Sequence, residues 1–107
     1  MKILIVDDNL VFLKQLQKYL RANNFDVDIA DGGKKAIEML ASNKYSAVVL
    51  DLKMPDMSGM EVLRWAYKGR INSKFIVVTG YGEIESAVEA MKLGAVDYIQ
   101  KPFDTEC

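Results

Sequence analysis

Three uninterrupted apolar runs constrain this chain more than any other feature: Ile3-Leu4-Ile5-Val6, Ala47-Val48-Val49-Leu50 and Phe75-Ile76-Val77-Val78. Each stops at a polar side chain, Asp7, Asp51 and Thr79 respectively. A run that is apolar at every position fits a strand covered on both faces, the ordinary condition of a parallel sheet. Phe25-Asp26-Val27-Asp28-Ile29 alternates instead, and Val96-Asp97-Tyr98-Ile99-Gln100 mixes polar with apolar residues, so both are expected at sheet edges. Helical spacing fills the intervals. Phe12, Leu13, Leu16, Tyr19 and Leu20 form one stripe, Ala36, Ile37, Met39 and Leu40 a second, and Ile84, Ala87, Val88 and Met91 a third, each expected to cover the sheet. Lys92-Leu93-Gly94 should close the last of these with a cation and a left-handed glycine. Strands alternating with helices mean an α/β fold. Right-handed crossovers favour a flavodoxin-like, doubly wound, five-stranded parallel sheet of order 2-1-3-4-5, with helices on both faces and a crevice between strands one and three.

The 107 residues are enough for one small core, so residues 1–107 are read as a single domain. A formal charge of −1 with dispersed lysines and arginines provides no footprint for direct nucleic-acid binding. No apolar stretch reaches the length of a membrane span, and the amino-terminal run meets Asp7 and Asp8 too soon for a signal peptide, so a cytoplasmic location is expected. The single cysteine, Cys107, excludes an internal disulfide. The methionines are read as adaptable packing. Histidine is absent, which removes a Ser-His-Asp triad, the common zinc constellations and any phosphohistidine role for this chain itself.

Ligands of parallel sheets gather at the carboxyl ends of the strands. Strand one ends in Asp7-Asp8, strand three in Asp51, strand four in Thr79 and strand five in Lys101-Pro102. Any one of these is commonly a solvated end or a cap; four converging on one crevice are not. Carboxylates packed together repel by about 4 kcal/mol per pair at 4 Å and an effective dielectric near 20, and one lysine cannot balance three. A hard divalent cation bound by oxygens relieves them, and magnesium favours few protein ligands with positions left for water and phosphate. Asp7, Asp8 and Asp51 are therefore read as a magnesium pocket. Lys101 and the Thr79 hydroxyl are placed to hold phosphoryl oxygens.

Four blocks in order carry a family resemblance over essentially the whole chain. They are Val6-Asp7-Asp8-Asn9, then Val49 to Met60 with Asp51-Leu52-Lys53-Met54-Pro55 at its centre, then Val78-Thr79-Gly80, then Gly94 to Phe103 ending in Lys101-Pro102-Phe103. The chain resembles a response-regulator receiver domain of a two-component system. Thr79-Gly80-Tyr81-Gly82 and Ala87 to Lys92 further resemble receivers attached to transcriptional activators of the nitrogen-regulation type. The resemblance implies that Asp51 accepts a phosphoryl group from a partner histidine kinase, and that Asp8 and Asp51 bind magnesium directly. Asp7 would act through coordinated water, and the backbone carbonyl of Lys53 would complete the protein ligands. It implies that Lys101, set by a cis bond to Pro102, pairs with the phosphoryl group. Thr79 and Tyr98 would be the switch, altering the surface of helix four and strand five for an output domain or downstream protein. Lys53 and Tyr81 would hinder an attacking water, so hydrolysis should be slow.

The resemblance also implies a fifth helix, which the four residues after Phe103 cannot form. The sheet face shared with helix one is expected to lose cover, favouring a homodimer or marginal stability. Two alternatives remain. An aspartate-based phosphohydrolase would usually carry a second acid two residues past the nucleophile, where Lys53 stands. A receiver-like module that is not phosphorylated would have no need for all of these polar residues. The expectation is a signalling domain, not an enzyme in turnover, that catalyses its own phosphorylation and slow dephosphorylation.

Overall fold

The computed structural model describes residues 2–80 and 84–100. Expectations that fall on Tyr81, on Lys101, Pro102 and Phe103, and on the segment after Phe103 lie outside the described residues. The elements run β1 (Lys2–Val6), α1 (Leu10–Ala22), β2 (Asp26–Ala30), α2 (Gly33–Ser42), β3 (Ala47–Asp51), α3 (Gly59–Lys68), β4 (Lys74–Thr79), α4 (Ile84–Lys92) and β5 (Asp97–Gln100). All four strand pairings are parallel, in the order β2-β1-β3-β4-β5. The three continuous apolar runs are the three inner strands, and the two mixed segments are the edges, as their patterns require.

Strand alternation sorts the core into two clusters. Leu4 and Val6 of β1, Val48 and Leu50 of β3, and Phe75 and Val77 of β4 point to one side, where they pack with Ala36 and Leu40 of α2, Val62, Leu63 and Ala66 of α3, and Ala90 of α4. Met39, Met54, Met57 and Met60 fill in around this cluster, partly buried. On the other side Ile5 and Val27 meet Leu13 of α1, with Ile3, Leu16, Leu20, Ile29 and Val49 partly buried around them. Helices thus cover both faces. The last helix ends as its sequence requires: Gly94 takes φ +95°, and the Ala95 N–H turns back to the Ala90 carbonyl.

Two helical stripes differ from expectation. On α4 the side chains turned to the core are Ala87 and Ala90, while Val88 is 50% exposed and Met91 is also exposed. Alanine lets the helix lie close to the sheet, and the larger side chains then fall on its outer flank. On α1 Leu13, Leu16 and Leu20 face the sheet, but Tyr19 lies outside the stripe and is exposed. Its ring and hydroxyl tolerate that position because tyrosine is amphipathic.

Candidate functional site

The carboxyl ends of β1 and β3 are adjacent because these strands pair directly, with Val6 opposite Leu50. The Asp7 N–H still donates to the Ala30 carbonyl at 3.1 Å, which extends the β1–β2 ladder by one bond. Its carboxylate accepts from the Asn9 N–H at 2.9 Å, and the Asn9 side chain in turn accepts from the Phe12 N–H at 3.1 Å as the cap of α1. Asp7 is thereby held by the turn into α1 and is only 3% exposed. Asp8 lies between Asp7 and the cap residue Asn9 and is exposed.

Asp51 is the last residue of β3, opposite Val78, and is 5% exposed. Its carboxylate accepts from the Lys53 N–H at 3.2 Å. The chain then loops and returns close beneath it: a Cβ on Gly59 would stand 2.2 Å from the Asp51 carbonyl oxygen. Only glycine permits that approach. Ser58 caps α3 by accepting from the Met60 N–H.

One carboxylate oxygen from each of Asp7, Asp8 and Asp51 lies within 4.8 Å of the others. The donors are all oxygens, as a small hard cation requires; oxygens on opposite sides of an octahedral magnesium ion are about 4.2 Å apart, so binding one would draw any pair near the 4.8 Å limit slightly together. Among the described residues this is the only such group of three potential ligands. Thr79 ends the next strand, β4, and is buried. Tyr98, on β5 opposite Val77, is 46% exposed. The Lys53 side chain is exposed. The sequence-derived residues Asp7, Asp8 and Asp51 are therefore brought together, Thr79 stands at the neighbouring strand end, and Tyr98 lies two register positions before the Thr79–Gln100 pair.

One residue beside the site has no counterpart in the sequence reading. Asp56, in the loop after Asp51, accepts from the backbone N–H groups of Gly33 and Lys34 at 3.1 Å each. These donors, Lys34 first and Gly33 next, hold its carboxyl below the usual carboxylate range. The only signal in the sequence is the pair Gly32-Gly33, which leaves α2 with no side-chain cap of its own.

Comparison with known proteins agrees with this architecture. The family model for the response regulator receiver domain matches residues 3–107. The transcriptional regulatory protein FixJ of Rhizobium meliloti is 43% identical over 100 residues, covering 94% of this chain and 49% of its own length. The acid tolerance regulatory protein ActR of the same organism is 39% identical over 104 residues, covering 97% and 54%. The chain thus spans about half the length of these two relatives. Among solved structures, FixJ-N superposes with a TM-score of 0.86 at 41% identity, over 97% of this chain and 83% of that one. A Burkholderia pseudomallei response regulator with a phosphorylated aspartic acid, a calcium ion and citrate gives 0.86 at 30% identity, over 94% and 59%. The Thermotoga maritima response regulator TrrA, in complex with magnesium and BeF, gives 0.83 at 30% identity, over 98% and 90%.

Proposed function

The chain belongs to the response regulator receiver domain family of two-component systems, and from that premise we propose that Asp51 is its phosphoacceptor, serving a transcriptional output. The observation that carries this is the meeting of the Asp7, Asp8 and Asp51 carboxylates within 4.8 Å at the carboxyl ends of β1 and β3. A carboxylate oxygen of Asp51 attacks the phosphorus of a phosphohistidine on a sensor kinase. The P–N bond breaks, its electron pair stays on the imidazole, and an acyl phosphate forms on Asp51. With no histidine among these 107 residues, the donor lies outside them.

Asp7, Asp8 and Asp51, with the Lys53 backbone carbonyl, are assigned to hold magnesium. The ion would supply positive charge against the carboxylates and the incoming phosphoryl oxygens. Lys101 is assigned the remaining counter-charge, and Thr79 a hydroxyl donor to the phosphoryl group. Tyr98, exposed on β5, is assigned the inward turn that follows Thr79 and alters the α4–β5 surface read by an output domain, a downstream protein or a second copy. The names of FixJ and ActR support regulation as the output, and the structural neighbours of this chain with magnesium or a phosphorylated aspartate support the chemistry. We place this domain in the cytoplasm, without direct contact to nucleic acid. Among the described residues no helix is long and apolar enough to cross a membrane.

The test is incubation with magnesium and a small acyl phosphate, read by intact mass. A gain of one phosphoryl group that Asp51→Asn abolishes supports the proposal. Continuous turnover of the donor would make the domain a phosphohydrolase, and no gain in mass would leave an interaction module.

A further inference from the structure

The loop that carries Lys53 is fixed at both its base and its tip. At the base the Leu52 N–H donates to the Val78 carbonyl at 3.1 Å, and the Gly59 N–H donates to the Leu52 carbonyl at 3.0 Å. At the tip Asp56 crosses to another element. Its Oδ1 accepts from the N–H of Gly33 and its Oδ2 from that of Lys34, so each oxygen takes one of the first two N–H groups of α2. Helix α2 has Gly32 as its N-cap residue and no side-chain cap bond from it. Asp56 therefore supplies, from a distance of 23 residues in sequence, the acceptor that a helix start ordinarily draws from its own cap.

The approach is built in. A Cβ on Gly32 would lie 2.9 Å from Asp56 Oδ2, and one on Gly33 would lie 2.8 Å from Met57 Cβ. Gly32 has φ −173°, an extended conformation open to any residue, so closeness to Asp56 rather than backbone strain favours glycine there. The start of α2 is in turn tied to the acidic cluster, because Ala30, at the end of β2, accepts from the Asp7 N–H. A ring of covalent, hydrogen-bonded and strand-paired links results. It runs from Asp7 to Ala30, along the chain to Gly33 and Lys34, across to Asp56, back through Lys53 to Asp51, and closes through the pairing of Leu50 with Val6.

We propose that Asp56 is a positioning residue for the metal pocket: by bridging the 52–58 loop to the start of α2, it holds the Lys53 backbone toward Asp7, Asp8 and Asp51 and so sets the affinity for the divalent cation. This rests on the magnesium pocket assigned in the reading above, and not on the phosphorylation of Asp51. Asp56 touches neither metal nor phosphoryl group in this scheme. Its carboxyl is ionised at neutral pH, as the charge-assisted N–H bonds require, and the same bonds hold its pKa below the usual carboxylate range.

A helix cap and a positioning bridge make different predictions, and α2 allows them to be separated. Asp56→Ala removes both the cap and the bridge. The double substitution Gly32→Ser, Asp56→Ala gives α2 a cap of its own, with room for the new side chain because the Asp56 oxygens are gone, but does not rebuild the bridge. Magnesium chloride is titrated into each protein and followed by amide NMR shifts, with thermal unfolding in parallel. Expected is a rise in magnesium Kd of about tenfold in both variants, the scale on which supporting groups act on metal ligands. The double variant should recover stability without recovering affinity. Its Asp51 labelling by a small acyl phosphate should be slowed at low magnesium and reach the wild-type rate at saturation. A double variant that binds magnesium as wild type does overturns the proposal. Wild-type protein that binds magnesium but is not labelled overturns the phosphoacceptor reading and leaves this one standing; wild-type protein that does not bind magnesium overturns both.

Discussion

Neutralising Asp51 should stabilise the metal-free domain, against the usual expectation for a buried, hydrogen-bonded residue. With carboxylate oxygens up to 4.8 Å apart, Asp51 and Asp7 repel by about 3.5 kcal/mol at an effective dielectric near 20. Asp8 is exposed, so its share is closer to the water value, about 0.9 kcal/mol at the same distance. Asparagine keeps an oxygen for the Lys53 N–H, but as a neutral acceptor, forfeiting about 1 kcal/mol. Asp51 takes part in further interactions that the substitution also weakens. The net expectation for Asp51→Asn is a gain of about 2 kcal/mol, or about 10 °C in Tm for a domain of this size. Urea and thermal unfolding in chelator, followed by circular dichroism and by the half-buried Trp65, measure it. Magnesium at a hundred times its Kd adds about 2.7 kcal/mol to a protein that binds it. Wild type should gain that increment and the variant far less, so that the order closes or inverts. An Asp51→Asn protein no more stable than wild type in chelator, or an equal magnesium increment in both, would refute the electrostatic argument.

Three further outcomes follow from particular contacts. Gly59→Ala should cost about 3 kcal/mol in urea unfolding, the upper range of overpacking, because its Cβ would fall 2.2 Å from a backbone oxygen that cannot move without displacing Asp51. Tyr45→Phe should cost about 1.5 kcal/mol, since the buried hydroxyl donates to Asp28 Oδ2 at 2.7 Å. Burial, followed by that bond and the charge of Asp28, raises the Tyr45 pKa, so its contribution is full below the ordinary tyrosine value, about 10, and is lost as pH rises through the higher folded value. The alkaline decline in stability should accordingly be shallower in Tyr45→Phe. Asp56 has the opposite sign: with its carboxyl held low, its contribution is present above the ordinary carboxylate range, about pH 4, and is lost as pH falls through the lower folded value. Asp56→Asn should flatten the acid limb of the stability curve.

The sheet was legible because each inner parallel strand is four apolar residues in succession with a polar residue at its functional end, and because these runs recur between stretches of helical spacing; Leu10 to Leu13 is a run of the same kind, and only the stripe continuing to Leu16 and Leu20 marks it as helix. Asp7, Asp8 and Asp51 were legible for the same reason, since strand order alone brings their positions together. Helix faces were less so. Leucine stripes on α1 read correctly, and so did Ala87 on α4, yet Ala90 carries too little hydrophobicity to announce that it, rather than Val88 and Met91, faces the core beside Ala87. Asp56 was invisible for a different reason: its partners are backbone N–H groups, which every residue but proline possesses, so no pairing of side-chain types marks the contact. Asn9 before α1, and Ser58 three residues ahead of Glu61, are cap patterns that the sequence did contain.

The same alanines bear on which element can move. Within its span α3 buries Val62, Leu63 and Ala66, and the first two alone contribute about 3–6 kcal/mol of side-chain burial. The buried methyls of Ala87 and Ala90 on α4 contribute about 1.6 kcal/mol. Leu93, just beyond the helix, adds a partly buried contact, and the Arg64–Glu89 ion pair to α3, roughly half exposed at both ends, adds less than about 1 kcal/mol. Counted over the described side chains, α4 is therefore held against the sheet more weakly than its neighbour. It lies against β4, the strand that ends at Thr79. A charge change at Asp51 worth about 2 kcal/mol is then comparable with what Ala87 and Ala90 contribute on α4, and below the roughly 3–6 kcal/mol that Val62 and Leu63 alone contribute on α3. Native-state hydrogen exchange should find the α4 amides opening at least about tenfold more readily than those of α3, since each 1.4 kcal/mol of difference is a factor of ten. Equal protection in the two helices would mean that α4 is anchored by something other than its buried side chains, and the case for it as the mobile surface would fail.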